Sequence, residues 1–247
     1  MTAARTHLLL IPGLACDGTV WEPQVAHFAK QSHLAVDVVD LGVHDSTEAM
    51  ARALLDRYPG PVAVAGFSLG GYVAQEIARQ APERLLGLAL MATQAGTDPA
   101  AMAEVRAQWA RQARAEGMAA MAPTFLAKLA SANYLASDIH KQALHAMMAR
   151  HSVEAFCGEQ EAIRTRSDCS EAVRTLRCPT LAVIPAQDAL VPPANQHKMV
   201  QSGGIQTVLE IADSGHTVML ESPQAVNAAM QSWLDTIRSA PASRPHL

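Results

Sequence analysis

The run Val62-Ala63-Val64-Ala65-Gly66-Phe67-Ser68-Leu69-Gly70-Gly71 decides the fold. Four apolar residues lead into it, and an amphipathic stretch from Tyr72 to Ala81 leads out, so it reads as strand, tight turn and helix. Glycine at 66 and 70 removes the Cβ atoms that would collide where a strand folds back against its own helix. Ser68 at the apex is expected in a strained conformation, its Oγ exposed at the C-terminal edge of a sheet and its N–H at a helix N-terminus. This is the pattern of a nucleophile elbow.

Working outward, short apolar runs alternate with helical ones. His7–Ile11, Leu34–Val39, Val62–Ala65, Leu85–Met91, Thr180–Ile184 and Thr207–Ile211 are the strand candidates. Each is nearly continuously apolar, as strands buried on both faces of a parallel sheet are. Helical patterns cover Trp21–Gln31, Ser46–Tyr58, Tyr72–Gln80, Pro193–Gln201 and Pro223–Ile237. The alternation predicts an α/β fold with a mostly parallel sheet of about six strands and right-handed crossovers. One interval breaks the rhythm: 98–177 carries no strand candidate and reads as an inserted helical cap. Its methionines, Met102, Met118, Met121, Met147 and Met148, suit either an adaptable pocket wall or core filler. The expected organisation is a core of 1–97 and 178–239, a cap of 98–177 and a frayed tail of 240–247.

The chain has 247 residues, 49% hydrophobic and 17% charged, with a net charge of −4. That is enough for a sizeable core, and it leaves no basic footprint for nucleic acid or a membrane surface. The expected partner is a small, mostly apolar molecule. Cys16, Cys157, Cys169 and Cys178 show neither C-x-x-C nor zinc spacing and read as reduced thiols of a cytoplasmic protein. The apolar stretch His7–Cys16 is short and interrupted by Pro12, so a strand is expected there rather than a secretion signal.

A serine hydroxyl needs a base within reach and an acid to orient that base. Asp188 lies in Pro185–Pro193, the loop after the strand Thr180–Ile184, where ligands bind in open α/β sheets. Asp98, after an earlier strand, is the alternative acid. His216 follows the last strand within Asp213-Ser214-Gly215-His216, which places it on the same sheet edge. No remaining histidine makes a metal-ligand spacing, so neither metal nor cofactor is expected. Oxyanion donors are expected at the N–H of Leu69 and, in the loop Ile11–Gly18, at the N–H of Leu14. Both side chains would then be free to shape the pocket. Trp109, Phe125, Tyr134, Val191 and Val218 are further candidates for its wall.

With these motifs in place, the chain resembles the α/β-hydrolase superfamily, in particular its bacterial esterase, enol-lactonase and haloperoxidase-like group. The resemblance runs through Leu8–Trp21, Gly66–Gly71, Pro185–Pro192 and Ser214–Leu220. It implies Ser68 as nucleophile, Asp188 as acid, His216 as base and Leu14 and Leu69 as oxyanion donors. It further implies a serine hydrolase acting on a small carboxylic ester or lactone. The same fold and triad also serve C–C bond hydrolases, lyases, perhydrolases and ligand receptors with little turnover. Pro12-Gly13 stands where many relatives carry His-Gly, and Asp40–Ser46 lacks the family's arginine-bearing turn.

Overall fold

The computed structural model describes residues 5–240. Its sheet is formed by β1 (Thr6–Ile11), β2 (Leu34–Val38), β3 (Val62–Phe67), β4 (Leu85–Met91), β5 (Thr180–Pro185) and β6 (Thr207–Ile211). The spatial order is β2-β1-β3-β4-β5-β6, and every pairing is parallel. Leu9 pairs with Val64 and Leu10 with Ala65, so β1 and β3 end side by side. Strand order reverses between them, and in such sheets ligands bind outside the carboxyl ends at that point. β3 extends past the expected Ala65, because Gly66 and Phe67 still pair with Leu90 and Met91 before the chain turns.

Successive side chains of a strand point to opposite faces, and β1 shows it. Leu9 and Ile11 join one buried cluster with residues of α2 (Thr47–Arg57), α3 (Leu69–Gln80) and α10 (Pro193–Gln201). Leu8 and Leu10 join the other, with α1 (Glu22–Phe28), α11 (Val218–Glu221) and α12 (Pro223–Ser239). The expectation that all six strands are buried on both faces holds for β3, β4 and β5 but fails at the sheet's edges. β2 is half-buried over most of its length and β6 largely exposed. Each has a neighbour on one side only, and Glu210 and Thr207 of β6 meet solvent.

Between β4 and β5 the chain runs through α4 (Met102–Glu116), α5 (Met118–Leu129), α6 (Ala132–Leu135), α7 (Asp138–Ala149), α8 (Val153–Thr165) and α9 (Ser170–Arg174). No strand interrupts them. Met118, Met121, Phe125, Met148 and Phe156 of these helices form a third buried cluster, which Ala15 from the loop after β1 joins. That contact sets the helical segment directly against the loop expected to stabilise an oxyanion. Of the expected tail, residues 241–247 lie outside the described residues.

Candidate active site

The elbow forms because two backbones come within touching distance. A Cβ on Gly66 would run into the Gly70 carbonyl, and one on Gly70 into the carbonyl oxygens of Ile11 and Pro12. Close approach therefore carries the start of α3 up against the end of β1. α3 begins at Leu69, three residues before the amphipathic pattern becomes visible at Tyr72. Ser68 stands immediately ahead of it at φ 53° and ψ −115°, a conformation that costs a non-glycine residue about 1–3 kcal/mol. The strain is held by neighbours. The Ser68 N–H donates to Met91 O at 3.0 Å, and its carbonyl accepts from Gly71 N at 2.9 Å and Thr93 Oγ1 at 2.9 Å. Among the described residues the other positive-φ non-glycine residues are Ala15, in the loop after β1, and Ala92, directly after β4. All three strained positions thus crowd one rim of the sheet.

Asp188 and His216 meet at that rim. The His216 Nδ1–H donates to Asp188 Oδ2 at 2.8 Å, and both side chains are almost wholly buried. The other carboxylate oxygen, Oδ1, accepts from Leu190 N and Val191 N at 2.9 Å each. Gln196, one turn into α10, donates its amide to Oδ2 at 3.0 Å. With Nδ1 engaged, the lone pair of His216 is on Nε2. The imidazole packs against the Phe67 ring at 4.9 Å. Ser68 and His216 line one cavity of about 300 Å³, although among the described residues no hydrogen bond joins Ser68 Oγ to the imidazole. A contact between a serine hydroxyl and a base in a ligand-free cavity is commonly long and tightens only when a ligand binds. Asp98, the alternative acid, is engaged elsewhere, in ion pairs with Arg106 and Arg166. Burial alone would raise its pKa, but hydrogen bonds and charge from the two guanidinium groups outweigh that and hold it below the usual carboxylate range.

The loop after β1 brings Leu14 to the same cavity, and its N–H makes no hydrogen bond among the described residues. Leu69 opens α3, where the first N–H groups of a helix have no internal acceptor. Its side chain does not shape the pocket, contrary to expectation. It is fully buried in the cluster with Leu9 and Val64, because the elbow turns it inward onto the sheet. Trp109, Phe125 and Val191 line the cavity as expected. Tyr134 and Val218 do not: Tyr134 stacks on His140 at 3.9 Å, and Val218 is wholly buried in the second cluster. Of the methionines, Met102 and Met148 line the cavity, while Met118 and Met121 are core.

Several supports are invisible in the local sequence. Glu159 of α8 is buried and accepts the Ala15 N–H at 3.0 Å, holding the strained residue beside Leu14. His151 completes the contact, with Nε2 at 3.1 Å from Glu159 Oε1. Glu221 does the same for the histidine loop, accepting from Gly215 N at 2.8 Å and from Ser131 N at 2.9 Å. Cys16 also lines the cavity, but burial and the charges of Glu159 and Asp17 push its thiol pKa far above the ordinary range. A thiol held protonated in this way is a poor nucleophile.

This geometry is matched by sequence. The model of the alpha/beta hydrolase family fits residues 8–229. The chain belongs to that family. Its relatives include esterases, an enol-lactonase and a putative non-heme bromoperoxidase. A 3-oxoadipate enol-lactonase of Acinetobacter baylyi is 25% identical, over 93% of this chain and 89% of its own. The chain spans 49% of the length of the biotin biosynthesis bifunctional protein of Cellvibrio japonicus, with 25% identity over 96% of this chain. Among solved structures, a thermophilic esterase from Thermogutta terrifontis superposes with a TM-score of 0.85. It is 27% identical and covers 96% of this chain and 92% of its own. Among the described residues, no helix of this family member is long and apolar enough to cross a membrane.

Proposed function

We propose that this α/β hydrolase is a cytoplasmic serine hydrolase that cleaves a small carboxylic ester or lactone through an acyl-enzyme. Ser68 Oγ attacks the carbonyl carbon while His216 Nε2 takes its proton. The oxyanion so formed accepts from the N–H groups of Leu14 and Leu69, each such donor contributing about 3–4 kcal/mol in the transition state. The carbon–oxygen bond to the leaving group then breaks, and His216 returns the proton to the departing alkoxide. Water, deprotonated by the same imidazole, attacks the acyl carbon and releases Ser68 and the acid. Asp188 holds the imidazole with Nδ1 protonated and supports the imidazolium that forms in each step.

The observation that carries the reading is the meeting, at one cavity, of a strained Ser68 and a His216 held by Asp188 at 2.8 Å. The similarity to an esterase and an enol-lactonase agrees with the bond broken. Residues 98–177 act as a cap: Trp109, Phe125 and Met148 face the substrate, and the segment supplies no reacting group. A fluorophosphonate probe tests the nucleophile. It should label one serine per chain in the wild type and none in Ser68→Ala, and labelling that survives in the variant refutes the assignment.

A further inference from the structure

Most of the cavity wall beside Ser68 is apolar, yet Arg106 and Asp98 also line it. Their side chains are only 13% and 4% exposed. The Asp98 carboxylate accepts from Arg106 Nε at 2.6 Å and Nη2 at 2.9 Å, and from Arg166 Nη1 at 3.0 Å. One carboxylate therefore serves two guanidinium groups that are always charged.

The two arginines are not equivalent. Arg166 directly follows the C-terminus of α8 and donates to the carbonyls of Ile163 and Gly96, and its guanidinium lies 4.3 Å from the centre of the Tyr72 ring. The C-terminus of a helix favours a cation, and so does an aromatic face. These surroundings help to answer the charge of Arg166, but the two guanidinium groups still share the single carboxylate of Asp98, so the corner carries one positive charge more than its anion matches. Arg106 is the member that lines the cavity. Its remaining bond goes to the neutral Oε1 of Gln160 at 2.9 Å. A guanidinium has five N–H donors. Three are used in these contacts, so two are free among the described residues. Arg166 Nη2 and Gln160 Nε2, beside it, are also buried without a hydrogen-bond partner. Two buried cations that share one anion leave a charge unmatched, which is unfavourable, and unpaired buried donors add to the cost.

We propose that Arg106 is the anion-binding end of the substrate cavity, and that the ester or lactone cleaved at Ser68 carries a carboxylate remote from the scissile bond. The inference rests on the reading of Ser68 as nucleophile. A substrate carboxylate accepts the free N–H groups of Arg106 and gives the corner two carboxylates for two guanidinium groups. The linking carbons pass Trp109, which lies three residues beyond Arg106 on α4 and on the same helix face. A neutral substrate of the same length leaves the charge unmatched, so the subsite discriminates by charge where an apolar wall could not.

The test compares isosteric pairs. On the acyl side, monomethyl esters of C4–C8 dicarboxylic acids are set against methyl alkanoates of equal length. On the alcohol side, acetoxyalkanoates are set against alkyl acetates. In one of the two arms the carboxylate member should be preferred by about tenfold or more in kcat/KM, mainly through KM. Arg106→Met should bring that ratio close to one, and Arg106→Lys should keep part of it. Asp98 retains Arg166 in both variants, so no buried carboxylate is stranded. Calorimetric binding of the same pairs to Ser68→Ala should show the same preference without turnover. A ratio at or below one in both arms, equal binding of the paired compounds, or a preference that survives Arg106→Met would overturn the proposal. The nucleophile reading fails separately, by fluorophosphonate labelling of Ser68→Ala.

Discussion

The carboxylate of Asp188 accepts four hydrogen bonds, from Leu190 N, Val191 N, Gln196 Nε2 and His216 Nδ1. Its position is thus set before any substrate arrives, and the imidazole inherits that order. Asp188→Asn keeps the shape but offers an N–H to Nδ1, which favours the wrong tautomer. We expect kcat to fall about 10⁴-fold with the fold unchanged by circular dichroism. Asp98→Asn should leave the imidazole's tautomer alone, since Asp98 is bonded to arginines. A crippling loss at Asp98 with near-silence at Asp188 would reverse the roles. The placing of Ser68, Asp188 and His216 at one edge of the sheet was legible because each lies in the turn or loop that follows a strand-like apolar run. Gln196 was not, since a glutamine one turn into a helix carries no local mark of its partner. Glu159 was hidden for the same reason, since Ala15 lies 144 residues away, and so was the link from Glu221 to Ser131, 90 residues away, although its other backbone partner Gly215 is only six residues off.

At the scale of elements, the β3–α3 turn was readable because glycine spacing reports steric necessity. The edge strands were placed correctly but their burial was misread, because apolar content alone does not say how many neighbours a strand has. β6 is built from Thr207-Val208-Leu209-Glu210-Ile211, and only its place at the end of the sheet leaves Val208 exposed. The steric argument makes a clean prediction. Gly70→Ala drives a Cβ into the carbonyls of Ile11 and Pro12, which belong to the backbone and cannot swing aside. It should cost more than about 3 kcal/mol or prevent folding. Gly96→Ala has nothing within 4 Å of its new Cβ, so its stability should change by less than about 0.5 kcal/mol. Denaturant unfolding of the two variants checks both. Equal stabilities would mean that the elbow does not press on β1.

Across the whole molecule, the helical segment meets the loop after β1 where Glu159, itself bonded to His151, accepts the Ala15 N–H. This junction has a pH signature. Burial alone would lower the pKa of His151. The hydrogen bond and charge of Glu159, with the charges of Asp17 and Asp40, outweigh burial and raise it above the ordinary histidine value. Arg150, the only cation among the described residues that share a cavity wall with His151, is paired to Asp17. A raised folded pKa means that the folded state holds the proton more tightly than the unfolded chain. The stabilisation is therefore full below about pH 6.5, the ordinary histidine pKa, and is lost as pH rises through the folded value. Glu159→Gln separates this effect from the loop contact, because the amide oxygen can still accept the Ala15 N–H while the charge is gone. The wild type should melt about 2–4 °C above Glu159→Gln near pH 5.5, as a contribution of about 1 kcal/mol would give in a chain of this length. The gap should narrow steadily towards pH 9, and it can reverse there, since Glu159 then sits buried beside a neutral imidazole. Thermal melts across that range read the trend directly. A gap that is flat, or that widens with pH, would mean that His151 does not carry its proton in this pair and that the junction is held by the Ala15 contact alone.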